Sequence, residues 1–502
     1  MLFNSFNFLF LFLPLTVLIF LLNYKIFNNK KIAILILLIA SIIFYGNHSL
    51  NHLYLFLFSI ITNFIIGEKL SIQEDNHNEN KGKKILIFGI IFNLSLLFLY
   101  KYFNFFSSNL SILGLQMPKS ELILPIGISF YTFQQIGYLI DAQNNKTTKT
   151  NIWEYASFVS FFPQLIAGPI VHHTHFINQI KNKSFKIFNE SYISNGIIIF
   201  IIGLFKKVII ADTLSREIVI PFYSNIEDGY IASSLSSWIS TIFYSLQIYF
   251  DFSAYSEMAI GLGLFFGIAL PINFNSPFKA ESLIDYWGRW NITLSNFISS
   301  YVYLPIFKNL SYKSSNLFNN HIVAIILSMT ISGFWHGANW NFIIWGFVHG
   351  VALSINHLIK ANKIYVNLPK LLSRSILLVF INISFIIFRT TDVQNIKLTL
   401  ISLIPFKSLF NLNTININTF NTDLLHILLL LILTFIVLYL PSTLSLLGYT
   451  SSQSNKIQMI SFFKKYNFNN FQIFCISSFI TLLFIISVSQ LHEGKEFIYF
   501  QF

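Results

Sequence analysis

The sequence predicts an all-α polytopic membrane protein, and three observations support this fold class. Of its 502 residues, 54% are hydrophobic and only 10% are charged, whereas a soluble domain carries about 25% charged residues. The mean hydropathy is +0.63. Apolar runs approaching the roughly 20 residues that a spanning helix needs recur along the whole chain. These features exclude a soluble enzyme, a disordered protein and a collagen-like fibre.

The apolar runs predict about 11–13 membrane segments, re-entrant helices included, in a single integral membrane domain that covers 1–502. Polar residues enter the membrane mainly between Pro125 and Gly350, so we expect a catalytic core at about 120–360. The polar stretches 67–84, 406–422 and 450–470 are predicted loops. The continuous runs cover 6–23, 32–45, 53–66, 85–103, 122–140, 197–210, 235–266, 321–334, 341–359, 371–388, 424–440 and 471–488, and the polar-interrupted ones 152–170 and 283–306.

The net charge of +12 is explained by membrane topology, so no nucleic-acid partner is expected. Basic residues cluster in the turns after the first and third runs, and cytoplasmic loops are rich in Lys and Arg. The N-terminus is therefore predicted to face outward. The single cysteine, Cys475, excludes an intrachain disulfide and a cysteine-based metal cluster.

A first polar cluster interrupts the apolar run at 161–170. Pro163, Gly168 and Pro169 cannot continue a helix, and broken backbone at membrane depth is tolerated only inside protein or beside a water-filled cavity. We expect a re-entrant segment that lines a cavity, with Gln164 as its polar side chain. A turn at the membrane interface is the alternative.

A second cluster, at 247–303, carries more charge than lipid-facing helices tolerate. Its ionisable residues must pair with each other or line a cavity, and structural pairing is the alternative to a substrate contact. Gly261 and Gly263 lie in an apolar helix rather than after a strand, so they do not indicate a dinucleotide site. Gly263 and Gly267 are instead expected to form a face of small residues for close helix packing. The charged members are Asp251, Glu257, Asp285 and Arg289.

A third cluster, at 332–341, places His336 between tryptophans, with glycines beside it. A lone buried histidine is more often a core residue than a catalyst, but membrane depth and the small flanking residues favour a catalytic role. A neutral imidazole can accept a proton as a general base. His349 and His357 are expected to pack or hydrogen-bond, and His172, His173 and His175 lack the spacing of a metal site. No metal is expected.

These clusters, in this order, resemble the membrane-bound O-acyltransferase family, specifically its bacterial branch of alginate O-acetylation proteins. Seven strings in register carry the resemblance, and they span most of the chain. They are PIGISFYTFQ at 125–134, FPQLIAGPI at 162–170, GLFKKV at 203–208 with AD at 211–212, DFS at 251–253, WHG at 335–337, FR at 388–389 and FIYFQF at 497–502.

The resemblance implies a many-helix fold with a central funnel or tunnel, in the bacterial inner membrane, with His336 as the catalytic residue. Members move an acyl group from a cytoplasmic thioester, acetyl-CoA in this branch, to a hydroxyl on the far side. Acetyl-CoA would be the donor, with no permanently bound cofactor, and Lys206 and Lys207 could attract its phosphates, although topology also explains them. Close relatives act with a periplasmic SGNH-type acetyltransferase or esterase, which makes such a protein the expected partner.

Peptidoglycan is the favoured acceptor. Alginate or another exopolysaccharide follows closely, and D-alanine transfer to teichoic acid is less favoured because of the FIYFQF terminus. A polytopic transporter or flippase without chemistry, and a scaffold that only docks the periplasmic enzyme, are the alternatives from other classes.

The chain departs from the family pattern at two places. Bacterial relatives usually carry a second histidine where this chain has Asn291, which cannot take up a proton at neutral pH. Asn291 is therefore expected to orient a reactant or to stabilise the oxyanion, with His336 as the base. Ser299 and Ser300 stand where the family usually has an Arg-Asp pair. The expected substrate-binding residues are Gln164, Asp251, Ser253, Arg289, Trp290 and Trp335.

Overall fold

The computed structural model describes residues 1–75, 79–115, 117–182, 188–362, 369–405, 424–449, 462–491 and 497–498. Throughout these residues the regular structure is helical, which confirms the predicted all-α class. The first helices are α1 (Leu13–Ile26), α2 (Lys30–Gly46), α3 (Leu50–Asp75), α4 (Glu79–Leu97), α5 (Phe103–Ile112), α6 (Ile128–Gln143), α7 (Ile152–Ser160), α8 (Phe162–Leu165), α9 (His173–Lys181), α10 (Glu190–Phe205), α11 (Asp212–Leu214) and α12 (Ile220–Glu227).

The remaining helices differ widely in length, and wider π-helical turns join several of them directly. They are α13 (Ser234–Phe265), α14 (Leu283–Trp287), α15 (Ile292–Ile298), α16 (Leu304–Lys313), α17 (Leu317–His336), α18 (Trp340–Ala361), α19 (Lys370–Arg389), α20 (Val393–Ser402), α21 (Leu424–Tyr439), α22 (Thr443–Leu446), α23 (Phe462–Lys465) and α24 (Asn470–Ser489). The π-helical turns are Asn7–Phe12, Phe98–Tyr102, Lys206–Ala211, Ser215–Val219 and Ser299–Tyr303, and Pro277–Lys279 is a 3-10 turn.

Seven helical spans of the described chain are long and apolar enough to cross a membrane, fewer than the 11–13 segments that the apolar runs predict. The difference has a structural reason, because several runs form short or broken helices. The run at 283–306 divides into α14, α15 and a π-helical turn, and that at 152–170 into α7 and α8. The seven spans are Asn7–Ile26, Leu50–Ser71, Asn80–Ile112, Leu317–His336, Trp340–Ala361, Lys370–Arg389 and Asn470–Ser489.

The predicted loop at 67–84 is wrong over most of its length. Helix α3 continues to Asp75 and α4 begins at Glu79, because residues with good helix propensity continue beyond the end of the apolar run. The predicted loop at 406–422 lies outside the described residues, and so do 450–461 and the end of the FIYFQF string at 499–502.

The described chain divides into two compact units. The first contains residues 1–205, 254–272 and 443–501. Its core includes the buried rings of Phe8, Phe12, Phe44 and Phe162, and the Phe12 and Phe162 centroids lie 5.3 Å apart at an interplanar angle of 88°. Phe162 opens the short helix α8, so the broken segment at 161–170 is enclosed by protein, as broken backbone in a membrane protein requires. Its re-entrant course stays a prediction.

Two helices of this unit approach each other at Gly196 and Gly261. A Cβ atom on Gly261 would lie 2.7 Å from the carbonyl oxygen of Gly196, which is too close for any larger residue. The predicted helix-packing face at Gly263 and Gly267 is wrong, since α13 ends at Phe265 and Gly267, beyond its end, adopts a left-handed turn conformation with φ of +72°.

The second unit contains residues 206–253 and 273–442. Helices α17 and α18 form an antiparallel hairpin, and α19 ends beside it, where the Asn341 side-chain amide donates a 3.0 Å hydrogen bond to the carbonyl oxygen of Phe388. This hydrogen bond connects the start of α18 to the end of α19. The prediction of one integral membrane domain over the whole chain stays a prediction.

Candidate active site

His336 lies at a break between two membrane helices. It is the last residue of α17, and α18 begins at Trp340. Gly337 adopts an extended conformation, with φ of −162° and ψ of 152°, and so ends the helix. Only 7% of His336 is exposed. The structure thus places His336 buried between two apolar helices, and its catalytic role stays a prediction.

Two glycines bring the backbones of α17 and α18 into direct contact. A Cβ atom on Gly333 would lie 2.2 Å from the carbonyl oxygen of Phe342, and one on Gly346 would lie 2.3 Å from that of Met329. Real Cβ atoms do not approach so closely, so no larger residue fits either position without a shift. Because the two backbones are in contact, the hairpin holds His336 in a defined position.

Aromatic rings surround the His336 imidazole. Its centroid lies 5.0 Å from that of Trp335, 5.3 Å from Trp345 and 5.4 Å from Phe388. The Trp345 and Phe388 rings meet it edge to face, at interplanar angles of 90° and 79°. Rings packed in this way fix the orientation of the imidazole and keep bulk water away from it, as proton transfer in a shielded site requires.

Asn291 occupies a left-handed backbone conformation, with φ of 42° and ψ of 52°, directly before α15. It is buried, with 4% exposed. Asn273 holds this turn: its carbonyl oxygen accepts from the amide of Ile292 at 3.0 Å, and its side-chain oxygen accepts from the Thr293 hydroxyl at 2.8 Å. Asparagine is among the few residues that tolerate positive φ, so the residue type suits the backbone.

Trp290 and Arg289, next to this turn, make different contacts. Trp290 stacks on Tyr286 at 5.6 Å and 15° and meets Phe385 at 5.5 Å. Arg289 donates from Nε to Asp285 Oδ1 at 2.7 Å, and both side chains are about one-third exposed. Arg289 thus forms a partly exposed ion pair one helical turn from its partner, while Trp290 is a buried packing residue.

The turn that carries Asn291 and the helix break that carries His336 share one aromatic cluster. Trp287 contacts Trp345 at 6.0 Å, and Trp345 contacts His336. On the other side of the turn, Trp290 contacts Phe385 of α19. Packed rings thus connect the turn of the buried Asn291 to the buried His336 imidazole, a group suited to acid–base chemistry on a substrate hydroxyl.

Comparison with known proteins identifies the family. The model of the MBOAT, membrane-bound O-acyltransferase family matches residues 71–391, which include both His336 and Asn291. The chain belongs to the membrane-bound O-acyltransferase family. It is an O-acyltransferase in a lipid bilayer, as the sequence motifs predict.

Relatives of this acyltransferase differ in their acceptors. A peptidoglycan O-acetyltransferase of Helicobacter pylori is 40% identical over 79% of this chain and 78% of the relative. A probable alginate O-acetylase of Pseudomonas aeruginosa is 35% identical over 78% and 73%. A teichoic acid D-alanyltransferase of Bacillus subtilis is 27% identical over 73% and 90%.

The acyltransferase buries Asp251 in an ion pair. Lys207 Nζ lies 2.6 Å from Asp251 Oδ1 and 2.8 Å from Asp212 Oδ1. The positive charge of Lys207 is thus paired with two carboxylates inside the protein. This pairing argues against the suggestion that Lys207 attracts the phosphates of coenzyme A. Ser253 is also buried, and its hydroxyl has no hydrogen-bond partner among the described residues. The substrate contacts predicted for Asp251 and Ser253 stay predictions.

Gln164 lies in the first compact unit, on α8. It is fully buried, and its side-chain amide donates a 2.6 Å hydrogen bond to the carbonyl oxygen of Phe158. This hydrogen bond connects α8 to the last turn of α7 across the helix break. Its predicted substrate contact stays a prediction, as do those of Trp335, Trp290 and Arg289.

Sequence reasoning missed two members of the aromatic cluster, Trp345 and Trp287, and treated His349 as an ordinary packing residue. Asn341, Trp345 and His349 recur every fourth residue on α18, and that spacing places them on one helix face. This periodicity is the signal that could have joined them to His336. Across the described ranges, no group of three His, Cys, Asp or Glu side chains could hold a metal ion.

Proposed function

We propose that this acyltransferase moves an acetyl group from cytoplasmic acetyl-CoA across the bacterial inner membrane for O-acetylation of peptidoglycan. The observation that carries the proposal is the buried His336, held by aromatic rings at the break between two membrane helices. The 40% identical relative is named a peptidoglycan O-acetyltransferase, which supports this acceptor. Alginate or another exopolysaccharide is the alternative acceptor, supported by the 35% identical relative.

In the proposed reaction the acceptor hydroxyl attacks the thioester carbonyl carbon while His336 takes the hydroxyl proton. The carbon–sulfur bond then breaks, and the proton passes from His336 to the departing thiolate. The products are an O-acetyl ester and free coenzyme A. Asn291, with a side-chain amide that can donate a hydrogen bond, would stabilise the negative charge on the carbonyl oxygen.

Acetyl-CoA enters this proposal as a substrate, with no permanently bound cofactor. Peptidoglycan lies outside the membrane, so a periplasmic SGNH-type protein would complete delivery of the acetyl group. Without that protein, the chain would still release coenzyme A when a small hydroxyl compound or water accepts the acetyl group. Thioester cleavage is therefore the step to measure on the purified chain.

The test measures free thiol released from acetyl-CoA by the full-length protein in lipid vesicles. Every variant carries Cys475→Ser, so that the free thiol of the chain itself cannot add to the signal. His336→Ala should stay folded and lose about 10²- to 10⁴-fold in rate, the usual worth of a general base. His357→Ala, on the same hairpin, is the matched control and should keep the rate of the parent protein.

The outcomes separate the competing functions. A transporter would release no coenzyme A, and a scaffold would tolerate His336→Ala without change. Labelled acetyl-CoA, offered with peptidoglycan or alginate and the corresponding periplasmic protein, then identifies the acceptor. Label transferred to alginate but not to peptidoglycan would overturn the preferred acceptor and leave the reaction itself in place.

A further inference from the structure

One face of α18 buries polar atoms that have no protein partner. His349 is 1% exposed, and neither of its ring nitrogens has a hydrogen-bond partner among the described residues. Trp345, one helical turn earlier, is 3% exposed, and its indole nitrogen is likewise unpartnered in the described part of the chain. Buried polar groups in native proteins are nearly always hydrogen-bonded, so this face requires an explanation.

A third residue brings another such atom to the same place. Trp287 meets His349 at 5.4 Å and Trp345 at 6.0 Å, and His349 and Trp345 lie 4.6 Å apart. The Trp287 indole nitrogen is also buried without a partner in the described ranges. Three mutually touching rings thus hold four unpartnered polar atoms. Simple ring packing would be better served by apolar side chains, since each unpaired buried polar atom costs free energy.

The cluster adjoins both His336 and a cavity. Trp345 contacts the His336 ring at 5.3 Å. A cavity of about 150 Å³ is lined by Trp287 and by Ser332, which lies one turn before His336 on α17, and by Leu353, one turn after His349 on α18. The cavity reaches the cluster at Trp287, so the carbon chain of a bound alcohol could lie there against the Trp287 ring.

The chemistry of the three rings selects the kind of group that fits. An indole nitrogen only donates, whereas a neutral imidazole has one donor and one acceptor nitrogen. A carbonyl oxygen could accept from the indoles but could not donate to the imidazole. A hydroxyl oxygen does both. The cluster is suited to a hydroxyl group, from either a water molecule or an alcohol.

We propose that Trp287, Trp345 and His349 form a hydroxyl-binding subsite beside His336. The inference rests on the proposed function, in which His336 takes a proton from a hydroxyl. The subsite holds either the acceptor alcohol itself or a water molecule that positions it. His349 is the residue to test, because it alone of the three can both donate and accept.

The test compares three variants in the vesicle assay. His349→Phe keeps a flat ring and removes both nitrogens, His349→Gln keeps a donor and an acceptor, and His357→Phe makes the same change further along α18. Loss of a buried hydrogen bond predicts that His349→Phe lowers kcat/KM roughly 10- to 100-fold. His349→Gln should recover most of that loss, and His357→Phe should match the parent protein. Melting temperatures measured in parallel identify any variant that fails to fold.

The kinetic split distinguishes the two sources of the hydroxyl. If the acceptor alcohol binds here, His349→Phe raises KM for the alcohol, and kcat at saturating alcohol stays near that of the parent protein. If a positioning water binds here, His349→Phe lowers kcat for transfer and for hydrolysis together. A folded His349→Phe protein with the kinetics of the parent would overturn the subsite, while loss of activity in the parent protein itself would count only against the proposed function.

A second measurement does not depend on activity. In a density map of the full chain at about 2 Å resolution, an oxygen should lie within hydrogen-bond distance, about 3 Å, of a His349 ring nitrogen. The same density should be lost in His349→Phe. A map of the parent protein with no such oxygen at His349, with or without an added small alcohol, would overturn the inference.

Discussion

Lys207 Nζ lies 2.6 Å from Asp251 Oδ1, and 1% and 3% of the two side chains are exposed. Asp212 shares the same ammonium at 2.8 Å. The contact joins the π-helical turn Lys206–Ala211 to the long helix α13. One cation between two carboxylates compensates charges that would otherwise be buried alone, which explains how α13 can carry an acid in its interior.

Replacement of Lys207 by methionine should destabilise the protein strongly. Removal of one member of a buried ion pair leaves an uncompensated charge and costs about 3–5 kcal/mol. Thermal unfolding of the purified protein in detergent measures the effect. Arg216→Ala is the control, because its ion pair with Glu217 is about half exposed and such pairs contribute at most about 1 kcal/mol. If Lys207→Met melts like the parent protein but loses activity, Lys207 acts on substrate instead.

The glycine contact between α17 and α18 predicts a second effect. Gly333→Ala would push a methyl group to within 2.2 Å of the Phe342 carbonyl oxygen, so the hairpin must open. Overpacking of this kind costs about 1–3 kcal/mol, and the thioester assay should show a lower rate because His336 moves with α17. Gly229→Asn is the control, since that position is open and has φ of +82°. Equal melting temperatures for Gly333→Ala and the parent protein would contradict the prediction.

Features that depend on a local sequence pattern were predictable from the sequence. Features that depend on contacts between residues far apart in the chain were not. The His336 site was predictable because its tryptophans and glycines are neighbours in the chain. The ion pair of Lys207 was not, since Asp251 is 44 residues away. Nor could the sequence show that the left-handed turn at Asn291 is held by Asn273. Nor does hydropathy distinguish a straight span from two short helices such as α14 and α15, so the apolar runs could not show which segments form full-length spans.

Burial of His173 should make the unfolding free energy of the protein depend on pH. It lies on α9, outside the seven apolar spans, and burial lowers its pKa to about 4, with Asp141 opposing the shift and Lys181 adding to it. The folded protein therefore keeps this imidazole neutral, whereas the unfolded chain binds a proton below about pH 6.5. The stability that the neutral, buried His173 contributes is fully present above pH 6.5 and is lost as the pH falls toward 4. At pH 5 the loss is about 2 kcal/mol.

The comparison of His173→Phe with the parent protein isolates this effect from other titrating groups. The difference between their unfolding free energies should change by about 2 kcal/mol between pH 7.5 and pH 5. Phenylalanine keeps the ring contacts with Tyr138 and Phe158, which lie at 4.9 and 5.4 Å. A difference that does not vary with pH would show that His173 has the same pKa in the folded and the unfolded protein.

Asn291 allows backbone strain and side-chain chemistry to be separated. Its φ of 42° suits asparagine or glycine but not alanine. Asn291→Gly should therefore fold almost normally while it loses the side-chain amide. If that amide stabilises the oxyanion, the rate of acetyl transfer should fall by about 10²-fold, the lower end of the range for one oxyanion donor.

Asn291→Ala is the matched variant. It loses the same amide and adds about 1–2 kcal/mol of left-handed strain, so its rate should fall as far as that of Asn291→Gly and its melting temperature further. Both quantities come from the thiol-release assay and thermal unfolding of the same preparations. If Asn291→Gly keeps the parent rate while Asn291→Ala loses it, the residue serves the turn before α15 and not the reaction, because only strain then separates the two variants.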